Sequence, residues 1–378
     1  MALRTLSGKH IGPRHEREGA PLKGRGAAIN PEGRFEKVER EAFDDGWAQE
    51  EAEDEPALKT QVTEERAASI ISRNQSPDIP FTQSINPYQG CEHGCIYCYA
   101  RPTHAYRNLS PGVDFETRIF AKVNAAELLR QELSNPGYKC EVISLGANTD
   151  PYQPAERKLN ITRGILEVCA EFNQPVGIVT KNALVERDLD ILVPMARKNL
   201  VNVHVSVNNL DHEIARRLEP RCVTPQRRIE TIRALSQAGV PVGVLVAPVI
   251  PFLTDDQIEA VLEAAFAAGA TQAGYVVLRL PYEVKTLFRD WLERHYPLKA
   301  KHVMSRVHEL RGGRDNDPNF GSRMRGQGEF AELLAQRFKI AKRRIGYDAR
   351  GRMLRNAALD TTLFRAPASG AAKQLSLF

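Results

Sequence analysis

The stretch FTQSINPYQGCEHGCIYCY, residues 81–99, joins an apolar, extended run to three closely spaced cysteines. The run over residues 81–88 has the composition of a first strand, and Cys91, Cys95 and Cys98 follow in the loop after it. The whole chain contains only 6 cysteines, so this one loop holds half of them. Three thiolates from one short loop can converge on a single centre.

Five further apolar runs follow, and amphipathic stretches separate them. The runs are VISLGA (142–147), VGIVT (176–180), VNVHVSV (201–207), VPVGVLVAPVI (240–250) and YVVLRL (275–280). Helical periodicity begins near Thr162, Val185, Thr224 and Asp255. This alternation predicts parallel strands that are connected by right-handed crossover helices.

The number of these units decides between α/β architectures. Six βα units lie between residues 81 and 280, whereas a complete eight-stranded barrel needs about 250 residues. We therefore predict an open, partial (βα)6 barrel of the TIM type, with an open doubly wound sheet as the competing architecture. Both architectures bind ligands at the carboxyl ends of the strands, so residues just after each strand are the candidates for chemistry.

Composition bounds the remaining organisation. The chain has 378 residues, 42% of them apolar and 26% charged, and no apolar run approaches the about 20 residues that span a bilayer. With no signal-peptide core at its start, we expect a cytoplasmic protein without membrane contact. We predict four regions: a flexible charged segment over 1–75 with one helix around Glu50–Ala68 and no core, the barrel over 76–282, a basic helical extension over 283–355 and a flexible tail over 356–378.

The three clustered cysteines admit several centres. A structural zinc ion would need a fourth ligand, for which His93 or His104 is available. A disulfide is disfavoured, because three is an odd number and the expected compartment is reducing. A four-iron cubane normally takes four thiolates, so three would leave one iron open. Cys140, Cys169 and Cys222 are scattered and are expected to be reduced and structural.

The pattern C-x3-C-x2-C, with an aromatic residue before the last cysteine, resembles the radical S-adenosylmethionine (SAM) superfamily. The resemblance implies a [4Fe-4S] cluster held by Cys91, Cys95 and Cys98, whose open iron binds SAM. One-electron reduction, by a reductase or flavodoxin, then cleaves SAM to methionine and a 5′-deoxyadenosyl radical. The resemblance places Tyr97 against the adenine and makes Tyr99 a candidate radical relay.

Polar residues that follow the next strands are candidates for holding SAM. Asn148, Asp150 and Glu156 lie in the loop after the second strand, although this loop also has the composition of an ordinary turn. Lys181 ends the third strand, where its ammonium would pair with the SAM carboxylate. Ser206 ends the fourth strand, within reach of the ribose or the methionine.

Within the superfamily, the segments CEHGCIYCY, TDPYQPAE, VTK, LEP and VAPVIPFLTD resemble the spore photoproduct lyase-like group, also called DNA repair photolyase-like. This implies a nucleic-acid substrate, with DNA favoured. Ala147 stands where the lyase pattern has its hydrogen-donating cysteine, so reversal of the spore dimer itself is not expected unless Cys222 substitutes for that thiol. The alternatives are radical modification of tRNA or protein, and a non-catalytic iron–sulfur or zinc adaptor that binds DNA and the sliding clamp.

The carboxyl-terminal third is basic, with ten Lys or Arg against three acids between Arg323 and Arg355. A periodic helix is predicted over Gly328–Arg344. Its packing positions are Phe330, Leu333, Leu334, Phe338 and Ile340, and its outward cations are Arg337, Lys342, Arg343 and Arg344. These cations could follow nucleic-acid phosphates, or they form an ordinary solvated face.

The last five residues, QLSLF over 374–378, resemble the pentapeptide by which bacterial repair and replication proteins dock on the sliding clamp. The anchors would be Gln374, Leu375, Leu377 and Phe378. A few apolar anchors on a flexible tether suffice for such docking. The alternative is a tail that folds back on its own barrel.

Overall fold

The computed structural model describes residues 22–35, 58–349 and 358–366. Its strands, in chain order, are β1 (Gln61–Glu65), β2 (Ile71–Arg73), β3 (Gln83–Ile85), β4 (Tyr88–Gln89), β5 (Arg118–Lys122), β6 (Ile143–Leu145), β7 (Val176–Thr180), β8 (Val201–Ser206), β9 (Val242–Val249) and β10 (Gln272–Val277). Its α-helices are α1 (Val113–Thr117), α2 (Ala125–Leu133), α3 (Glu156–Leu159), α4 (Ile161–Phe172), α5 (Leu189–Arg197), α6 (His212–Leu218), α7 (Pro225–Gln237), α8 (Ile258–Ala267), α9 (Val284–His295), α10 (Pro297–Leu310) and α11 (Glu329–Ile345).

The main sheet has seven strands in the order β10-β9-β8-β7-β6-β3-β2. Six of these strands run parallel to one another: β3, β6, β7, β8, β9 and β10. Strand β2 joins the edge antiparallel to β3. Since β10 and β2 lie at opposite edges, the sheet does not close among the described residues. The predicted partial (βα)6 barrel is confirmed, although its last strand lies over Gln272–Val277, a few residues before the predicted 275–280.

Local sequence explains the regularity of these units. In β8 the valines at 201, 203 and 205 are buried and alternate with half-buried residues, as expected for a strand covered on both faces. Helix α7 begins where predicted, because the Thr224 hydroxyl caps the backbone N–H of Arg227 and Pro225 occupies the first turn. Helices α5, α7 and α8 then pack their apolar stripes against β8 and β9.

A second, three-stranded sheet, in the order β1-β5-β4, was not predicted. Strand β1 occupies part of the expected helix around Glu50–Ala68, so that prediction is wrong for the described residues. The physical reason is pairing along five residues with β5, in which Val62 lies opposite Ile119. Long-range pairing of this kind overrides local helix propensity.

The segment over residues 22–35 packs against the rest of the protein. Ala27 is 1% exposed and lies in the same apolar cluster as Ile96 and Tyr97. Ile70, just before β2, is equally buried in the main core. The expectation that residues 1–75 contribute to no core is therefore wrong for these two described parts. The boundaries of the four predicted regions stay predictions.

The loop between α10 and α11, residues 311–328, connects the two edges of the open sheet. At one edge, the Val277 N–H of β10 donates to the Met324 carbonyl over 2.9 Å. At the other, the Gly321 N–H donates to Asp78, in the turn between β2 and β3, over 2.6 Å. Arg323 forms an ion pair with the same Asp78. We call these residues the bridging loop.

Helix α11 follows the prediction in position and departs from it in facing. Phe338 is 7% exposed and packs on Tyr275 of β10, with ring centroids 4.7 Å apart. Leu333 and Ile340, which were predicted to pack, are 49% and 56% exposed. The buried stripe instead follows the small residues Ala331 and Ala341 and the large residues Leu334 and Phe338, because a 3.6-residue period turns 333 and 340 away from the sheet.

The cations of α11 are partly neutralised. Arg337 pairs with Glu259 over 2.8 Å and Arg344 pairs with Glu263 over 2.8 Å, both on α8. These two arginines therefore brace one helix on another, which weakens the prediction of a phosphate-tracking face on α11.

No helix in the described part of the chain is long and apolar enough to cross a membrane. The cytoplasmic location stays a prediction.

The facing of α11 can be tested by two alanine substitutions. Phe338→Ala should lower the free energy of unfolding by about 3–5 kcal/mol, because it leaves a cavity beside Tyr275. Ile340→Ala, on the same helix, should change it by less than about 0.5 kcal/mol, as exposed positions usually do. Urea unfolding of both variants measures the difference. Equal losses from the two substitutions would contradict the facing described above.

Candidate active site around the cysteine loop

The cysteine loop, residues 90–100, follows β4 at the carboxyl edge of the sheet. Two of its glycines take left-handed backbone angles, with φ of +81° at Gly90 and +68° at Gly94. A Cβ atom at Gly94 would lie 2.8 Å from the Glu116 carboxylate. Glycine is therefore required at this position both by conformation and by space.

Arg101 holds the shape of this loop from inside the protein. Its guanidinium is 0% exposed and donates to the carbonyls of Cys95 (2.9 Å) and Gly94 (3.2 Å). Further bonds reach the carbonyls of residues 111–112, and one Nη bonds to Glu116 over 2.6 Å. Because a guanidinium stays charged, its burial requires this carboxylate beside it.

Glu116 also binds the segment over residues 22–35. The backbone N–H groups of Gly26 and Ala27 each donate to its carboxylate over 2.9 Å. At Gly26 the approach is so close that a Cβ atom would lie 1.8 Å from the Gly94 carbonyl oxygen. The segment thus packs directly on the backbone of the cysteine loop.

The three loop cysteines are free thiols in the chain's first βα connection. Cys91 and Cys95 are buried and Cys98 is half-buried. No group of three or more His, Cys, Asp or Glu side chains within the described ranges is arranged to hold a single metal ion. The two histidines considered for zinc have other partners: His93 lies against Asp150 and His104 bonds to the Arg118 carbonyl. With both histidines engaged elsewhere, the loop thiols Cys91, Cys95 and Cys98 are the residues that would hold a [4Fe-4S] cluster.

Cys222 lies beside this loop rather than elsewhere in the core. Its sulfur is 3.9 Å from the Cys95 sulfur. Removal from water raises the pKa of the Cys222 thiol, whereas the hydrogen bond from Cys222 lowers the pKa of Cys95. Either sulfur can be the donor of this contact, which places Cys222 against the cysteine loop without making it part of the loop motif.

Glu219 gathers polar groups on the other side of the loop. Its buried carboxylate accepts hydrogen bonds from the Tyr97 hydroxyl and from the Arg228 guanidinium. Arg228, Lys181 and the Tyr97 hydrogen bond together lower the pKa of Glu219 against the opposing effect of burial. The sequence motif LEP contains Glu219, but nothing in its spacing indicated that this carboxylate would bond to Tyr97.

Lys181 lies just past the end of β7, where it was predicted. Removal from water would lower the pKa of its ammonium, yet the neighbouring Cys95 and Glu219 raise it overall. The structure thus brings Lys181, Tyr97 and the cysteine loop together. A cation beside Cys95 of the loop can bind a carboxylate.

Asp150, a second predicted contact, has its partners inside the protein. It accepts from the Thr180 hydroxyl (2.8 Å) and the Lys181 N–H (2.7 Å), and it lies 3.3 Å from the His93 ring. Burial opposes its ionisation, but His93 and two backbone N–H groups, one of them from Tyr152, lower its pKa to about 2. Asp150 is therefore an ionised brace that fixes Lys181 and His93.

The remaining predicted contacts differ in placement. Glu156 is fully buried and accepts from the Tyr88 hydroxyl, the Arg187 guanidinium and the Thr162 N–H, so the structure does not bring it to the cysteine loop. Asn148 is half-buried after β6 and donates its N–H to the Asn86 side chain over 2.9 Å. Ser206, at the end of β8, is buried, and its carbonyl accepts from Arg228 over 3.1 Å.

Tyr99 forms an open wall of the site. Its ring is 46% exposed, and its hydroxyl donates to the carbonyl of Ala147, in the loop after β6. The guanidinium carbon of Arg279 lies 5.5 Å from the ring centroid. The structure therefore places Tyr99 next to Ala147, the residue that stands where the lyase pattern has a cysteine.

A partial barrel with three cysteines in its first loop defines a class of enzymes that use a [4Fe-4S] cluster and SAM. The chain belongs to the radical SAM superfamily, whose family model matches residues 85–265. It is 39% identical over 277 residues to an uncharacterized protein of Mycobacterium tuberculosis, an alignment that covers 72% of this chain and 77% of that protein. A protein of Methanocaldococcus jannaschii is 25% identical over 242 residues, covering 63% and 85% of the two chains.

Solved structures share the fold. A mutant of spore photoproduct lyase superposes with a TM-score of 0.54 at 16% identity, over 75% of this chain and 78% of the lyase. The lyase in complex with dinucleoside spore photoproduct superposes with a TM-score of 0.52 at 14% identity, over 75% and 79%. At these identities the likeness establishes the architecture of the barrel.

The cysteine assignment predicts a specific pattern of losses. Anaerobically reconstituted protein with Cys91, Cys95 or Cys98 changed to Ala should lose the broad visible absorption of the cluster and its bound iron. Cys222→Ala is the matched control, because it removes a neighbouring sulfur that lies outside the loop motif, and it should retain both. Iron analysis and absorption spectra measure the outcome. Equal loss of iron from Cys222→Ala and Cys95→Ala would refute the three-ligand assignment.

Proposed function

We propose that this enzyme reductively cleaves SAM beside the cysteine loop and uses the resulting 5′-deoxyadenosyl radical on nucleic acid, with DNA favoured. The observation that supports the proposal is the position of Lys181 and Tyr97 beside Cys95 of the cysteine loop, at the carboxyl edge of the sheet. When bound, a reduced [4Fe-4S] cluster supplies the electron that cleaves the sulfonium. The residues of this chain bind SAM and exclude water.

Each proposed SAM contact has a distinct task. Lys181 would pair with the carboxylate, and its backbone N–H is fixed for that purpose by Asp150. Tyr97 would lie against the adenine, with its hydroxyl fixed by Glu219. Asn148 and Ser206 remain proposed polar contacts at the ends of β6 and β8. For Glu156, the buried hydrogen bonds favour a structural task instead.

Exposed aromatic rings with arginines above them support a nucleic-acid substrate. Arg279 lies over Tyr99, Arg323 lies 4.5 Å over Phe320, and Arg34 lies 3.7 Å over Tyr282. Such pairs suit base stacking and phosphate contact at once. The complex of the structurally similar lyase with a dinucleoside lesion is consistent with this class of substrate. Because Ala147 carries no thiol, reversal of the spore dimer is not part of the proposal.

The SAM step can be tested on the reconstituted enzyme. With dithionite replacing the proposed reductase or flavodoxin, SAM should yield 5′-deoxyadenosine and methionine. Lys181→Ala should raise the KM for SAM at least about tenfold, because a hydrogen bond to a charged group contributes about 1.5–3 kcal/mol. Lys198→Ala, which removes a lysine that bonds to Asn173 instead, is the control and should leave KM unchanged. Absence of 5′-deoxyadenosine from the iron-loaded wild type would refute the proposal.

The substrate class is tested separately. Deuterium from labelled DNA should appear in 5′-deoxyadenosine, with labelled tRNA and labelled protein as parallel reactions. Transfer from tRNA or protein alone, while DNA gives none, would replace the proposed substrate by that alternative.

We further propose that QLSLF, residues 374–378, docks on the sliding clamp. This motif lies outside the described residues, and its support is the sequence alone. Deletion of 374–378 should abolish clamp association in a pull-down, while SAM cleavage persists. Replacement of Gln374, Leu375, Leu377 and Phe378 by Ala should have the same effect. Undiminished clamp association in both variants would contradict the assignment.

A further inference from the structure

We propose that Arg279 is a substrate-binding residue that anchors a phosphate group of the nucleic acid beside Tyr99. This inference rests on the proposed function, because it names the group of the nucleic-acid substrate, a phosphate, that the site binds. It concerns a residue that lies in neither the cysteine motif nor the SAM-binding loops.

The backbone of Arg279 is held at the carboxyl edge of the sheet. It follows the end of β10 at Val277, and the preceding Leu278 donates its N–H to the Val249 carbonyl over 3.0 Å. The buried guanidinium of Arg311 donates to the carbonyls of Val277 and Leu278. The side chain of Arg279 therefore projects from a fixed point.

Arg279 forms no direct ion pair within the described part of the chain, and its hydrogen bonds there are incomplete. Its Nε atom is buried without a hydrogen-bond partner there, and Nη1 donates only to the Met324 sulfur over 3.6 Å, a weak acceptor. Burial and the neighbouring Arg323 lower the pKa of Arg279, and these effects outweigh the opposing influence of Tyr99 and Asp78. Native structures rarely leave a buried donor unpaired without a reason.

The neighbouring arginine shows what compensation looks like. Arg323 pairs with Asp78 and donates to the Ser76 hydroxyl over 2.6 Å. Asp78 itself is already bonded to Arg323 and to the Gly321 N–H, so its two oxygens are engaged in the bridging loop. Asp78 therefore attracts Arg279 only at longer range and leaves its guanidinium N–H groups available to a ligand.

The surroundings of Arg279 indicate what kind of anion it takes. Its guanidinium lies over the face of Tyr99, whose hydroxyl bonds to the Ala147 carbonyl. A guanidinium can bind a phosphate through two parallel N–H···O bonds, and the adjacent half-exposed ring offers a surface on which a base stacks. A phosphate held here would place the attached nucleoside at Tyr99 and Ala147, next to the proposed radical source.

The test measures binding of a fluorescently labelled single-stranded DNA oligonucleotide to the reconstituted enzyme with SAM at several salt concentrations. Arg279→Gln should weaken binding at least about tenfold and reduce the slope of log K against log salt by about 0.7, the value for one phosphate contact on single-stranded nucleic acid. Arg279→Lys should restore the slope, because it restores the charge, but only part of the affinity. Arg130→Gln, which removes an exposed arginine paired with Glu171, is the control and should change neither.

Several outcomes would overturn the inference. Unchanged affinity and slope in Arg279→Gln, whose iron content and melting temperature match the wild type, would refute the role of Arg279 while leaving the proposed function intact. If Arg279→Gln and Arg279→Lys lose the same affinity and have the same salt slope, Arg279 has a packing role only. If the wild type cleaves SAM but binds an acidic peptide and no oligonucleotide, the phosphate assignment and the nucleic-acid substrate both fail.

Discussion

The buried ion pair between Arg101 and Glu116 is the interaction on which the geometry of the site depends. Both side chains are 0% exposed, and together they bond to the backbone on either side of Cys95 and to the segment over residues 22–35. Removing one partner of such a pair costs about 3–5 kcal/mol, because the other charge stays buried. The pair therefore specifies one arrangement of the cysteine loop by contacts within the protein alone.

Two further buried carboxylates extend this arrangement to neighbouring strands. Asp150, after β6, connects His93 of the loop to the end of β7, and Glu219, after α6, connects Tyr97 to Arg228. Both lie at the carboxyl edge of the sheet, and both have a lowered pKa because cations and N–H groups surround them. The polar groups near the thiols are thus positioned before any ligand arrives, which is what a site of this kind requires.

Sequence predicted the features that depend on local pattern. Apolar runs located the six parallel strands, and the spacing of Cys91, Cys95 and Cys98 indicated the superfamily, because both signals are carried by adjacent residues. Strand β1 could not be predicted, since its residues are mostly exposed and its partner lies more than fifty residues away along the chain. The inward direction of Glu156 was equally hidden, because a carboxylate after a strand has the same sequence whether it faces a ligand or a buried arginine.

The contact between Gly26 and Gly94 has a consequence for what counts as the enzyme's minimal unit. The family model recognises residues 85–265, and that interval contains every cysteine of the loop. A fragment limited to residues 85–265 would lack Gly26 and Ala27, whose two N–H groups bind Glu116. It would also lack Asp78 and the bridging loop. The residues that define the superfamily are thus fewer than the residues that hold the site together. The additional ones lie in segments that contain no residue of the cysteine motif.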